Sequence, residues 1–225
     1  MTEKTGYDVI SLGIDQGIAN IGYAVTALKD GKEILLQSGT FKTTTKHEFP
    51  VRMKMIYEFI NDLLETYNVK VMGMEKLFFN PVQGKNRNKS ADIMRTNMVT
   101  GLLFLLASQH NKQIFDYTPG TVKKYVAGHG HAPKELVLEH VQGLAERSGI
   151  NIKTEHEADA IAISLTALKQ YLENRHIDFT KPVKKKKTRK STIGKEGDSL
   201  PLKVLVRESK ASKARKRQVI EKKRS

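Results

Sequence analysis

Between positions 7 and 42 the chain carries three apolar runs in succession, 7–15, 20–29 and 33–42, separated by nothing longer than a turn. Gln16-Gly17 parts the first two and Lys29-Asp30-Gly31 the next. Asp-Gly between such runs is a strong hairpin signal, so three strands joined this way predict an antiparallel meander. Beyond them the period changes. Phe49, Met53, Ile56, Ile60, Leu63 and Tyr67 recur at helical spacing and predict an amphipathic helix over 48–67. The alternation continues with a short strand 69–75, a polar and basic loop 76–90, a helix 91–110, a strand 113–118, and closing helices 133–148 and 155–174. Strands parted by helices pair in parallel. The expected architecture is therefore α/β, a five-stranded mixed sheet flanked by helices.

The charge is unevenly placed. Of 39 basic and 24 acidic residues, the segment 177–225 holds 18 and 5, so the body 1–176 is close to neutral. Blocks such as KPVKKKKTRK predict a largely disordered, polyanion-seeking tail that binds DNA. The more apolar LPLKVLVRE, 200–208, is read as a solvated linker within it, with docking on the body as the alternative. There is no cysteine, which excludes disulfides and thiolate metal sites. Neither a secretory pattern nor an apolar run of membrane-spanning length is present, so a cytoplasmic protein with no membrane partner is expected.

The chemistry is carried by acids at strand ends. Asp15 closes the first predicted strand and Glu75 the fourth, and open α/β sheets place their sites at the carboxyl ends of strands. If those strands are neighbours, two carboxylates stand side by side, and a hard divalent cation is the natural partner for both. TEHEADAIAISLTAL adds His156 and Asp159, three apart on one helical face, with Glu155 four before Asp159. Glu155 and Glu157 are read as complementing the helix dipole, whereas Asp159 is embedded in the apolar run. Lys76, Lys85, Arg87, Lys89 and Arg95 give the loop after Glu75 and the next helix a phosphate-tracking character.

The order of the predicted elements resembles that of ribonuclease H-like domains, and four motifs in order resemble the RuvC family of Holliday junction resolvases over roughly residues 8–172. They are LGIDQGIANIGYAV, MGMEKLFF, the G-x-G-x-A-x-K-x-x-V pattern from Gly128 to Val137, and EHEADAIAIS. The resemblance implies a catalytic and metal-binding set of Asp15, Glu75, His156 and Asp159, holding two Mg²⁺ ions for which Mn²⁺ substitutes. Many members carry Asp at the position of His156, which leaves Glu155 as its alternative. The resemblance also makes Phe78 the aromatic that stacks on unpaired bases, with Phe79 as its neighbour, and Lys123 and Lys134 backbone contacts near the cut. Lys124 is read as a solvated surface residue. Asp-Gln-Gly stands where the family more usually has Asp-Pro-Gly, a change read as neutral at a turn. His129-x-His131 could suggest zinc, but the glycine pattern accounts for it.

The implied activity is hydrolysis of four-way and other branched DNA by paired nicks that leave 5′-phosphate ends. The implied assembly is a homodimer through the helix 91–110, whose Met98, Leu102, Leu105 and Leu106 exceed what one side of a modest sheet needs. No branch-migration motor is assigned as a partner. An actin-like ATPase or sugar kinase also opens on Asp-x-Gly between strands, but needs a second such hairpin and a Gly-Gly adenosine motif that are lacking here. An RNA-processing relative and a nuclease-dead adaptor are the remaining alternatives.

Overall fold

The computed structural model describes residues 6–76 and 87–174, with no side-chain description for 87–92. Strands β1 (Val9–Asp15), β2 (Asn20–Lys29) and β3 (Lys32–Lys42) form the meander. Helix α1 (Phe49–Thr66) leads to β4 (Val71–Glu75), and α2 (Arg87–Gln109) leads to β5 (Gln113–Tyr117). Three helices close the domain, α3 (Pro119–Ala127), α4 (Lys134–Arg147) and α5 (Glu155–Asn174). The sheet runs β3-β2-β1-β4-β5, with β1 antiparallel to β2 and parallel to β4. Asp30 and Gly31 both take positive φ at the β2–β3 turn, as a two-residue hairpin with the strands' right-handed twist requires.

Alternation along β1 decides what lies on each face. Ile10, Leu12 and Ile14 are buried with Met72 and Met74 of β4 against Ile56 and Ile60 of α1 and Val99, Leu103 and Leu106 of α2. The intervening residues Ser11, Gly13 and Asp15 therefore face α5. Ser11 Oγ lies 2.9 Å from Ser164 Oγ, and His156 meets Asp15. A Cβ on Gly13 would collide with the Ala160 carbonyl, and one on Gly22 with the His156 carbonyl. Glycine at both positions lets the helix backbone ride directly on the sheet.

Contacts 11–164, 13–160 and 15–156 advance two strand residues for every four helical residues. These steps are about 6.6 Å and about 6.0 Å, so strand and helix stay in step to the end of β1.

The structure departs from sequence expectation at α2, α3, β1 and β4. Helix α2 begins at Arg87, four residues before the predicted start, so the end of the predicted loop 76–90 is helical. Its first turn is the polar RNKS, 87–90, with no apolar spacing to reveal it. Helix α3 had no predicted counterpart, although its end signals are present. Thr118 accepts from the Thr121 N–H at 3.1 Å, Pro119 opens the helix, and Gly128 closes it at φ 88°. Strands β1 and β4 each start two residues later than expected. The tail 177–225 lies outside the described residues. Among those described, no helix is long and apolar enough to cross a membrane.

Candidate active site

Parallel pairing of β1 with β4, up to Ile14 opposite Met74, brings Asp15 and Glu75 to the carboxyl ends of adjacent strands. Adjacent strands lie about 4.8 Å apart, and both acids face α5 by alternation. The first two turns of α5 supply the rest. His156 Nδ1 donates to Asp15 Oδ2 at 2.6 Å. The Asp15 side chain is mostly buried, at 15% exposure, and that of His156 is half-exposed.

Electrostatics shows that the three carboxyls share one region. Burial holds the Glu75 carboxyl above its ordinary value, and the Asp15 and Asp159 charges push it further the same way. Burial also raises Asp159. Lys134 pulls it back, Asp15 and Glu155 push it up, and His156 opposes them. The Asp15 charge thus acts on both Glu75 and Asp159, and Lys134 and His156 offset it at Asp159.

Among the described residues no three His, Asp or Glu side chains stand close enough to hold one metal ion as they are placed. The donor chemistry nevertheless fits a hard divalent cation, since carboxylate oxygens at a mutually repelling site are the ligands Mg²⁺ takes.

Lys123 and Lys134 join Glu75 and Asp159 in lining a cavity of about 260 Å³, with Val122, Val137 and Ile163 also in its wall. Lys134 Nζ lies 3.6 Å from Glu155 Oε2, whose side chain is 85% exposed. Glu155 is therefore turned outward with a lysine while His156 turns to Asp15. Glu157, which sequence reasoning grouped with Glu155, is buried instead. It accepts from Ser38 Oγ at 2.7 Å and the Lys153 N–H at 2.9 Å, tying α5 to β3. Lys124, His129 and His131 are exposed.

Of the predicted DNA contacts, Lys76 follows Glu75 directly and pairs with Asp116 at 3.7 Å. Arg87 and Lys89 lie on the first turn of α2, and Arg95 is exposed further along it. Phe78, Phe79 and Lys85 lie outside the described residues.

Gln16 was missed as a site residue. It is 7% exposed, and its carboxamide bonds Glu75 twice, Nε2 donating to the carbonyl and Oε1 accepting from the N–H at 3.1 Å. It is more than turn filler. Only its place beside Asp15 could have flagged it.

The family model for crossover junction endodeoxyribonuclease RuvC matches residues 11–167, spanning Asp15, Glu75, His156 and Asp159. The crossover junction endodeoxyribonuclease RuvC of Halothermothrix orenii is 34% identical over 167 residues, 74% of this chain and 96% of that protein. The solved RuvC of Thermus thermophilus superposes with a TM-score of 0.62 at 28% identity, covering 73% of this chain and 96% of that one. The same protein in complex with a Holliday junction substrate gives 0.59 at 28% identity, covering 70% and 92%. By the extent of the family match and the identity to these relatives, the chain belongs to the RuvC family of crossover junction endodeoxyribonucleases.

Proposed function

We propose that the protein resolves four-way DNA junctions, and other branched DNA, by two symmetric nicks made by a homodimer with Mg²⁺, two ions per active site. The observation that carries this reading is the convergence of Glu75 and Asp159 on Asp15, whose charge acts on both, with His156 hydrogen-bonded to Asp15. Family membership supports a structure-specific, junction-resolving endonuclease, and a relative solved on a Holliday junction supports branched DNA as the substrate.

Asp15, Glu75 and Asp159, with His156, would hold the cations. Bound there, divalent ions polarise the scissile phosphodiester and lower the pKa of the attacking water. The chain's own residues do the rest. Asp15 orients the His156 ring through Nδ1, which leaves Nε2 as the second nitrogen. Lys123 and Lys134 place positive charge at the cavity, where a phosphate must approach the Glu75 and Asp159 carboxyls. Attack of water on phosphorus with loss of the 3′ oxygen gives a 5′-phosphate and a 3′-hydroxyl. Phe78 stacks on an unpaired base, a contact indifferent to sequence and worth about 1–3 kcal/mol. Lys76, Lys85, Arg87 and Lys89 neutralise backbone phosphates. The tail 177–225 adds unspecific grip on the arms. A cytoplasmic location is the reading that goes with this action on DNA.

The dimer rests on α2. Met94, Met98, Phe104 and Leu105 are exposed at 62%, 48%, 47% and 51%, while Leu106 is fully buried in the core and Leu102 packs partly against it. Of the four residues read from the sequence, Met98 and Leu105 thus remain for a partner. A two-fold junction cut at opposed strands calls for a two-fold enzyme.

The test is cleavage of a four-way junction, a duplex and a structured RNA of equal length in Mg²⁺. Paired nicks in the junction alone are expected. Equal cutting of duplex, or preference for RNA, overturns the reading.

A further inference from the structure

We propose that Gln16 is a positioning residue whose carboxamide fixes the Glu75 main chain, and through it the placement of the Glu75 carboxylate beside Asp15. The inference rests on the proposed catalytic role of that pair.

The β1–β4 ladder runs to Ile14 opposite Met74 and then β1 turns away into β2. Glu75, the last residue of β4, would be left with an N–H and a carbonyl facing the side β1 has vacated. The Gln16 carboxamide takes both, accepting from the N–H and donating to the carbonyl. A side-chain amide has the same donor and acceptor as a peptide unit, so Gln16 adds one more rung to the ladder without extending the strand. That rung joins the main chains at the two catalytic acids, since Gln16 is the neighbour of Asp15 in sequence. A proline, the residue more usual in this family's motif, has no side-chain amide to do this.

The base of the rung is itself fixed. Arg52 of α1 is 6% exposed and donates from Nη2 to the Ile18 carbonyl at 3.0 Å and from Nε to Thr43 Oγ1 at 2.8 Å. Thr43 donates from Oγ1 to the same Ile18 carbonyl and from its N–H to the Ala19 carbonyl at 2.9 Å. The turn between β1 and β2 is thus tied to the start of α1 on one side and to Glu75 on the other. Displacement of Glu75 requires breaking the Gln16 amide bonds rather than bending a free loop.

The test uses the full chain with Gln16→Met, which keeps length and burial but removes both bonds. Gln16→Asn serves as the second variant, one methylene too short to reach both atoms. Three readouts are taken: amide hydrogen exchange at Glu75 in EDTA, junction binding in EDTA, and single-turnover cleavage against Mg²⁺ concentration. The expected result is faster exchange at Glu75, junction affinity within about twofold of wild type, and a Mg²⁺ requirement raised by about 10–100-fold, the usual cost of losing support around a metal ligand. Saturating Mg²⁺ should recover most of the rate in both variants. An unchanged Mg²⁺ requirement in both overturns the proposal. So does weakened junction binding with the Mg²⁺ requirement unchanged, which would make Gln16 a DNA contact. Glu75→Gln is run alongside. If it cuts at wild-type rate, the catalytic reading fails and not merely the role of Gln16.

Discussion

His156 and Asp15 are joined by a 2.6 Å hydrogen bond between residues 141 positions apart, one on the first turn of a helix and one at the end of a strand. The carboxylate accepts, so the hydrogen sits on Nδ1 and the ring is held in one tautomer. His156→Ala should lower cleavage by about 10–100-fold, the cost typical of removing a group that orients a metal-binding carboxylate. His156→Asp should recover activity at least in Mn²⁺, by offering an oxygen ligand. Glu155→Ala should stay near wild type, because its exposed pair with Lys134 contributes about 0–1 kcal/mol. A dead Glu155→Ala beside an active His156→Ala would exchange their roles.

Asp15→Asn, Glu75→Gln and Asp159→Asn should each slow single-turnover cleavage by at least about 100-fold, as loss of one preorganised electrostatic contact does. Junction affinity should hold, since it comes from lysine and arginine contacts to phosphate. Gel shift in Ca²⁺ or EDTA beside cleavage in Mg²⁺ separates the two effects.

Glu75 and Asp159 should weaken the metal-free fold. Glu75 titrates near 4.5 when unfolded and higher when folded. Between those values the folded state binds more protons, so stability falls as pH rises through the window and the full penalty remains above it. Asp159 behaves alike from its ordinary 3.8. In EDTA at pH 7–8, Glu75→Gln and Asp159→Asn should therefore melt above wild type. The gain should vanish as pH falls below the ordinary carboxylate values. Thermal melts across pH check this, and a lower melting temperature at pH 7–8 would contradict it.

Charge placed on the exposed face of α2 should split the dimer without unfolding the protomer. Met98 and Leu105 are about half-exposed, so Met98→Glu with Leu105→Glu should change protomer stability by only about 0.5 kcal/mol per site. Light scattering should show monomers, and nicking should become single-sided. A wild-type monomer at concentrations that cut symmetrically would refute the assembly.

Deleting residues 177–225 removes 18 basic and 5 acidic residues. Each phosphate no longer neutralised lowers the log–log salt slope by about 0.9, so the slope should flatten by several units while the cut position stays the same. Parallel salt slopes for full-length and truncated protein would assign the tail another task.

What could be read beforehand followed what is local. The meander, the Asp-Gly turn, the buried faces of α1 and α5 and the acids at strand ends all leave periodic or punctuating marks in the chain. Helix α3 escaped because its nine residues show two turns of weak spacing, though Thr118-Pro119 and Gly128 marked its ends. The choice between His156 and Glu155 was half legible. Positions 156, 160 and 164 are one stripe, and the small Ala160 and Ser164 show it to be the side laid on the sheet. Gln16 left no sign beyond its place beside Asp15, because its partner is the main chain of a residue 59 positions away, and a main-chain partner leaves no mark on residue type.

The matched steps of β1 and α5 also limit where the sequence can change length. One residue inserted between His156 and Ser164 would turn the part of α5 before it by about 100° about its axis, carrying His156, and Asp159 as well where the insertion follows it, off the strand ends while the buried remainder stayed seated. The same insertion in the 149–153 connection would be absorbed by backbone outside any helix or strand. The stretch 157–163 therefore tolerates insertion or deletion poorly. That intolerance comes from spacing, so away from Asp159 substitutions that preserve side-chain size there can succeed where a single added alanine abolishes activity in a folded protein.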